Sequence, residues 1–305
     1  MKSVLPVLTV VVAILLFWMA AAVPMNMHLV ADQAQRDGLA VTPDSPAARQ
    51  EVSGLGLAVR NPHLIPLTHG FVRPRLPSPQ QVAGEMWDTI VDKRITSKRS
   101  LVYHGWVTLA PTLLGFVIGT GLGILLAVGI VHSRVMDRSV MPWAIVSQTI
   151  PILALAPMVI VVLGSMGIQG LFPKSLIAAY LSFFPVVVGM VKGLRSPDAA
   201  QLDLLRTYNA SQSQGFWKLR LPASAPYLFA SLKIGISASL VGTIVAELPT
   251  GAKAGFGARM LVGDQYGQPL VSWAALFAAA LTAAALVGAV ALIERVTLRR
   301  MGVAA

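Results

Sequence analysis

Few residues in this chain could do covalent chemistry. Its 305 residues include no cysteine, which excludes thiolate nucleophiles, disulfides and thiolate metal sites. The five histidines, at 28, 63, 69, 104 and 132, show neither His-x-x-x-His nor His-Glu-x-x-His spacing, so no zinc site can be argued. No lysine follows the glycine nest that cradles phosphates in a P-loop. Lys174-Ser175 lacks that nest, and ATP binding of this kind is excluded. Gly164-Ser165 and Gly170 give no nucleophile elbow. What remains is a small set of polar groups in apolar surroundings. Glu247 and Lys233 lie within one apolar run, and Lys192 and Glu294 lie at the ends of two others. Buried charge is costly, so Glu247 is a functional candidate, with an interfacial carboxylate reaching water as the alternative. Gln148 and Thr149 lie between Pro142 and Pro151, with Pro157 following. Prolines in a membrane helix free carbonyls that protein or water must satisfy, so this kinked, polar-spotted run reads as lining a pathway at Gln148, Thr149 and Pro151, together with Glu247. There is no ladder of acids or arginines of the kind that runs a proton relay or a voltage sensor.

The elements that must position these groups are membrane helices. The chain is 55% hydrophobic and only 12% charged, where a soluble domain carries about 25% charged residues. Its mean hydropathy is +0.69. Six apolar runs approach or exceed the roughly 20 residues that cross a hydrocarbon core: Leu5–Val23, Trp106–Val131, Val140–Gly164, Leu176–Leu194, Tyr227–Leu248 and Ser272–Ile293. The fold class this predicts is an all-α polytopic bundle of six transmembrane helices. The formal net charge of +11 does not point to nucleic acid, because many of the cations flank apolar runs as the positive-inside rule expects. Arg134 and Arg138 follow the second run, Lys192 and Arg195 the fourth, and Arg295, Arg299 and Arg300 the sixth. Placing these in the cytoplasm puts both termini there. Lys93, Arg94, Lys98 and Arg99 then fall on the outer side, where a long translocated loop is partly exempt from the rule.

Three regions follow. Residues 1–23, with Lys2 ahead of the apolar run, read as a retained first span, longer than the apolar core of a cleaved signal peptide. Residues 24–104 form an outward-facing segment. Prolines at 43, 46, 62, 66, 74, 77 and 79 rule out a long helix through most of it. Within it Val82, Met86, Ile90 and Ile95 recur at helical spacing, which predicts an amphipathic surface helix near 80–95 with Pro79 at its start. Residues 105–300 hold the other five spans, with a polar cytoplasmic loop at 195–226. Gly115, Gly119 and Gly123 in the second span, and Ala275, Ala279 and Ala283 in the last, predict close backbone packing.

The loop Asp198–Pro226 is the longest polar interval in this apolar stretch. Pro197-Asp198 is a helix-start signal. Asp203–Tyr208 reads as a short helix with Leu204, Leu205 and Tyr208 able to share a face, and Asn209 tolerates the left-handed turn that stops it. Phe216-Trp217-Lys218-Leu219 begins a second helical stretch, expected to end at Leu221-Pro222. A helix–turn–helix with apolar and aromatic residues in water predicts a partner.

At this loop the chain resembles the inner-membrane permease subunits of binding-protein-dependent ABC importers. Their signature is Glu-Ala-Ala, three residues, Gly, nine residues, an apolar residue, one more, and Leu-Pro. Asp203-Leu204-Leu205 stands for Glu-Ala-Ala, Asn209 for the glycine, Leu219 for the apolar residue, and Leu221-Pro222 closes the pattern. Leu76-Pro77-Ser78-Pro79, the run Thr149–Pro157, Val245-Ala246-Glu247 and Gly255-Phe256-Gly257 are similar to the nitrate/sulfonate/taurine-type branch. The resemblance implies a type I importer permease fold and a chain that is a transport subunit rather than an enzyme. Two permeases, this chain with a copy or a homologue, would form the pathway. An ATP-binding cassette ATPase dimer, holding the ATP and Mg, would dock on Asp203, Leu204, Leu205, Tyr208, Asn209, Ala210, Leu219, Leu221 and Pro222. A soluble or lipid-anchored binding protein would deliver a small solute to the outer face. A stand-alone channel or ion-coupled carrier is the rival reading.

Overall fold

A computed structural model describes residues 4–248 and 252–302. Lys2, and the chain ends whose cytoplasmic placement the charge pattern predicts, lie outside the described residues. The described residues are helical and contain no strand. They divide into two compact units, residues 1–103 with 259–278, and residues 104–258 with 279–305.

In the first unit, α1 runs from Val4 to Arg36. The first span therefore does not end at Val23: the helix passes through Pro24, where only one intrahelical bond is lost. The two parts of α1 differ. Apolar residues from Leu5 to Phe17 are exposed, as suits lipid, whereas Met27, Val30, Ala31 and Ala34 are buried. These four build a core with Val41, Leu57, Ala58 and Leu64. Val41 lies ahead of α2 (Pro46–Glu51), Leu57 and Ala58 lie in α3 (Gly54–Arg60), and Leu64 closes a 3-10 turn at Pro62–Leu64 that leads into α4 (Ile65–Thr68), whose Ile65 packs on the same core. The proline-rich segment is thus a small folded cap on the end of α1, and prolines stand at the start of α2, the 3-10 turn and α4. Arg49 is almost wholly buried in this cap. It donates to Asp32 (2.8 Å) and Gln35 (2.6 Å) and to the carbonyls of Pro43 and Asp44. Asn26, also buried, bonds the backbone of Thr68 and Leu76.

The expected surface helix is α5 (Pro79–Trp87), started by a capping box between Ser78 and Gln81 and prolonged by a π turn to Asp92. It is shorter than 80–95, because Lys93 is already extended. Val82 is buried, but Ile90 and Ile95 are exposed, so the expected apolar face is carried by Val82 with Met86 partly covered. Trp18 of α1 donates to the Pro77 carbonyl (2.9 Å), and its ring lies 5.1 Å from Trp273 and 5.5 Å from Phe277. Burial lowers the pKa of the Arg259 guanidinium; Glu85 opposes that shift and Arg99 adds to it.

The second unit carries most of the bundle. Its elements are α6 (Leu101–His132, entering from the first unit), α7 (Arg134–Ser147), α8 (Ile152–Ser165), α9 (Leu171–Leu194), α10 (Ala199–Thr207), α11 (Gln212–Gly215) and α12 (Leu221–Glu247). They are followed by α13 (Phe256–Gln265) and α14 (Pro269–Arg300), which both units share. Among the described residues five helices are long and apolar enough to cross a membrane, and α7 with α8 makes a sixth only as a broken pair bent by 97°. The predicted straight span Val140–Gly164 is therefore two helices. Pro142 and Pro157 sit inside them without breaking either; Pro151 makes the break, having no N–H and a ring that excludes the preceding turn. The turn tightens there, with Gln148 and Thr149 donating back three residues. Tyr180 of α9 donates its hydroxyl to the freed Ser147 carbonyl.

The glycine stripe of α6 packs on α9 as its spacing predicts. A Cβ at Gly115, Gly119 or Gly123 would run into the backbone or small side chains of residues 175–186. Similar close approaches at Gly189, Gly193 and Gly242 join α9 to α12. Helices α6, α9 and α12 thus form a tight trio.

Candidate functional site: the two ends of α12

The loop at the start of α12 folds from local signals. Asp198 caps α10, its side chain accepting from Gln201 N–H (2.8 Å) while the Gln201 side chain accepts from Asp198 N–H (3.3 Å). The helix ends in a Schellman motif: Ala210 N–H donates to the Leu205 carbonyl and Asn209 N–H to that of Arg206, both at 2.9 Å. Asn209 occupies the left-handed position of that motif with φ +50°, the only non-glycine positive φ among the described residues. Ser211 then forms a second capping box with Gln214. The expected second stretch does not end at Leu221-Pro222. It runs through a π turn at Phe216–Arg220 into α12, giving one helix of 36 residues from Gln212 to Glu247. Pro222 lies directly after that π turn, where the helix has already left regular i→i−4 pairing.

The apolar residues of this loop part in two directions. Phe216 and Leu221 pack into the core formed by Ala127, Ile130, Val187, Met190, Val191 and Leu194, with the Phe216 ring 5.2 Å from His132. Arg220 donates to the Leu194 carbonyl (3.1 Å) and ties the start of α12 to the end of α9. Leu204, Tyr208 and Trp217 are 57%, 77% and 63% exposed. Leu205 does not share the exposed face with Leu204 and Tyr208. It turns toward a cavity of about 370 Å³ with Val131, His132, Ala210 and Gly215. Asp203 is exposed and pairs with Arg206 at 2.9 Å. Leu219 and Pro222 are half-buried.

The other end of α12 is of opposite character. Glu247 is fully buried. It accepts from the Thr108 hydroxyl of α6 at 3.1 Å and from Gly257 N–H at 2.9 Å, and Lys174 in the first turn of α9 lies 3.5 Å away. The two neighbouring amides are held as well. Gly255 N–H donates to His104 Nδ1 (3.0 Å), which leaves the ring proton on Nε2 of a neutral imidazole, and Phe256 N–H donates to Thr108 Oγ1 (2.9 Å). Gly255 has φ +123°, and a Cβ on it would collide with the Glu247 carboxylate. Hydroxyls continue the polar seam along α6 and α12: Thr112 donates to Thr243 (3.0 Å), and Ser239 to the Thr112 carbonyl (2.8 Å). Val245–Glu247 and Gly255–Gly257, separate segments in the sequence, are one site.

The residues of the broken span are elsewhere. Gln148, Thr149 and Pro151 form the exposed elbow between α7 and α8. Beyond the elbow, Ile152 and Ala156 pack with Ile177 and Ala246, beside Glu247. Sequence reasoning missed Lys174 and Thr108 as partners of Glu247 and His104 as the acceptor for Gly255 N–H, and no local spacing signals them. It named Lys233 and Glu294 separately, but they are an ion pair at 2.6 Å, and Asp137 pairs with Arg195 at 2.9 Å.

Five membrane-length helices, a broken pair and an exposed helix–turn–helix define a multi-pass helical membrane protein. Residues 119–303 match the family described as "Binding-protein-dependent transport system inner membrane component", and the chain belongs to that family. It is an ABC importer permease subunit of the nitrate/sulfonate-type branch with the type I fold, a transport component. A probable ABC transporter permease of Haemophilus influenzae is 31% identical over 66% of this chain and 76% of its own length. A formylaminopyrimidine transport permease of Halalkalibacterium halodurans is 32% identical over 60% and 68%, respectively. A nitrate import permease of Synechocystis is 27% identical over 65% and 70%.

Proposed function

We propose that this permease couples to a separate ATP-binding cassette ATPase through the α10–α11 loop, which faces the cytoplasm, and that both chain termini lie on that side. The observation that carries this is the exposure of Leu204, Tyr208 and Trp217 on a stapled turn continuous with α12. Apolar and aromatic side chains held in water on a well-ordered turn fit a docking surface. Asp203, Leu204 and Tyr208 are the outer contacts; Asn209 and Ala210 hold the turn; Leu205, Leu219, Leu221 and Pro222 connect it to the bundle. ATP and Mg would be bound by the ATPase, since this sequence has no P-loop. A second permease subunit completes the pathway, and an external binding protein brings the solute.

Gln148, Thr149 and Pro151 at the broken span are the pathway residues in this reading, with Glu247 bounding the pathway beside α8. The relatives named for formylaminopyrimidine and nitrate support a small polar solute. The test is co-purification with the ATPase, followed by uptake after replacing Tyr208–Ala210. ATP hydrolysis should become uncoupled from uptake while membrane insertion is kept. Uptake that needs no ATP would overturn the proposal and favour a stand-alone channel or ion-coupled carrier.

A further inference from the structure

Three consecutive backbone amides, of Gly255, Phe256 and Gly257, are held by side chains from two different helices. Their acceptors are His104 and Thr108 on α6 and Glu247 at the end of α12. Two features make this strap an all-or-none contact. In a membrane protein no bulk water replaces a lost partner at a buried amide, so the three bonds form or break together. The acceptors also lie on separate helices, so the strap docks in only one register of α6 against α12. The bonds are 2.9–3.0 Å long, and a slip of about 1 Å takes them beyond hydrogen-bonding distance. Lys174 supplies the compensating positive charge from α9.

The other end of α12 is the coupling turn. From Gln212 to Glu247 the helix is 36 residues, about 54 Å at 1.5 Å per residue, so a displacement at the turn is carried to Glu247 along one unbroken element. We propose that the Gly255–Gly257 strap is the closing element of the pathway at the end of α12 remote from the coupling turn. Glu247, Thr108 and His104 are its positioning residues. Displacement of α12 undocks the strap and opens that end; return of α12 closes it. This rests on the coupling role proposed for the α10–α11 loop.

The natural absence of cysteine supplies the test. Ala258, buried just beyond the strap, is replaced by Cys, and the assembled transporter with its ATPase and binding protein is placed in proteoliposomes. A membrane-impermeant maleimide should label the thiol slowly at rest, and roughly tenfold faster with ATP and loaded binding protein, as expected when the buried contacts of the strap are released. Thr108→Val removes the acceptor for Phe256 N–H and should give the fast rate at rest. Thr108→Ser restores the hydroxyl and should give the slow one. Glu247→Gln keeps the shape with a weaker acceptor and should fall between them, which covers the case of a poorly folding Thr108→Val. Equal labelling in every state while ATP-driven uptake proceeds would overturn the proposal, as would slow labelling of both Thr108→Val and Glu247→Gln at rest. ATP-independent uptake would overturn the coupling role instead, and the comparison of variants at rest would still report on the strap.

Discussion

The two ends of α12 contrast in where their bonding groups go. At the Glu247 end the polar groups described bond within the chain: a buried carboxylate, a lysine, a threonine, a histidine and three backbone amides pair with one another. At the Gln212 end the backbone is also satisfied, by two capping boxes and a Schellman turn, but the large side chains are left in water. One end is closed and the other is incomplete. In the proposed reading such a helix has its own chain for a partner at one terminus and the ATPase at the other. The sharpest test of that difference is to damage each end and ask which damage the isolated chain feels.

The largest effect is expected at the closed end. Glu247→Leu would leave Gly257 N–H, the Thr108 hydroxyl and the Lys174 ammonium without their acceptor. Removing one partner of a buried ion pair costs about 3–5 kcal/mol. The purified chain should lose thermal stability accordingly, read as a fall of several degrees in its unfolding midpoint in detergent. An unchanged midpoint would mean that Glu247 reaches water, the interfacial reading that the sequence left open.

The difference between the ends was only partly legible in sequence. The open end was readable because its signals are local: Asp198 precedes its helix, and Asn209 is a residue that accepts φ +50°. The glycines of α6 were readable because a four-residue spacing is itself the packing face. The closed end depends on Thr108, Lys174 and Glu247, which are brought together only by tertiary folding, and no spacing rule connects them. The cap on α1 was hidden for another reason. Its helices are too short to show periodicity, and its prolines argue against long helix rather than against structure. Pro24 looked like a boundary, yet α1 crosses it and uses the next turns to bury Met27 and Val30. Pro151 was one of three prolines in its run and broke the span, a result set by the turn geometry around it rather than by composition.

An intermediate effect, invisible to stability, is expected at the open end. Leu204→Ala with Tyr208→Ala removes largely exposed side chains, and such surface changes stay within about 0.5 kcal/mol. The midpoint should not move. ATP-driven uptake by the assembled transporter should fall at least roughly tenfold, because apolar and aromatic anchors of a protein interface cost about 2 kcal/mol or more when truncated. A double variant that unfolds early would show that these side chains stabilise the chain itself and would erase the distinction between the two ends.

The smallest effect concerns the turn rather than the surface. Asn209 holds a left-handed conformation that costs an ordinary L-residue about 1–2 kcal/mol and costs asparagine less. Asn209→Ala should therefore weaken the Schellman bonds of Asn209 and Ala210, raising hydrogen exchange at those two amides about fivefold for a loss near 1 kcal/mol. Asn209→Gly relieves the strain but adds freedom to the unfolded chain, so the two effects nearly offset and exchange should change less than about twofold. Coupled uptake should follow the same order, with Gly close to the parent and Ala reduced. In neither variant should the strap at Gly255–Gly257 become more reactive at rest, since its acceptors lie at the far end of the helix. If Asn209→Ala loosened the strap at rest, the two ends would already be coupled in the isolated chain, and α12 would be transmitting strain without any partner to drive it.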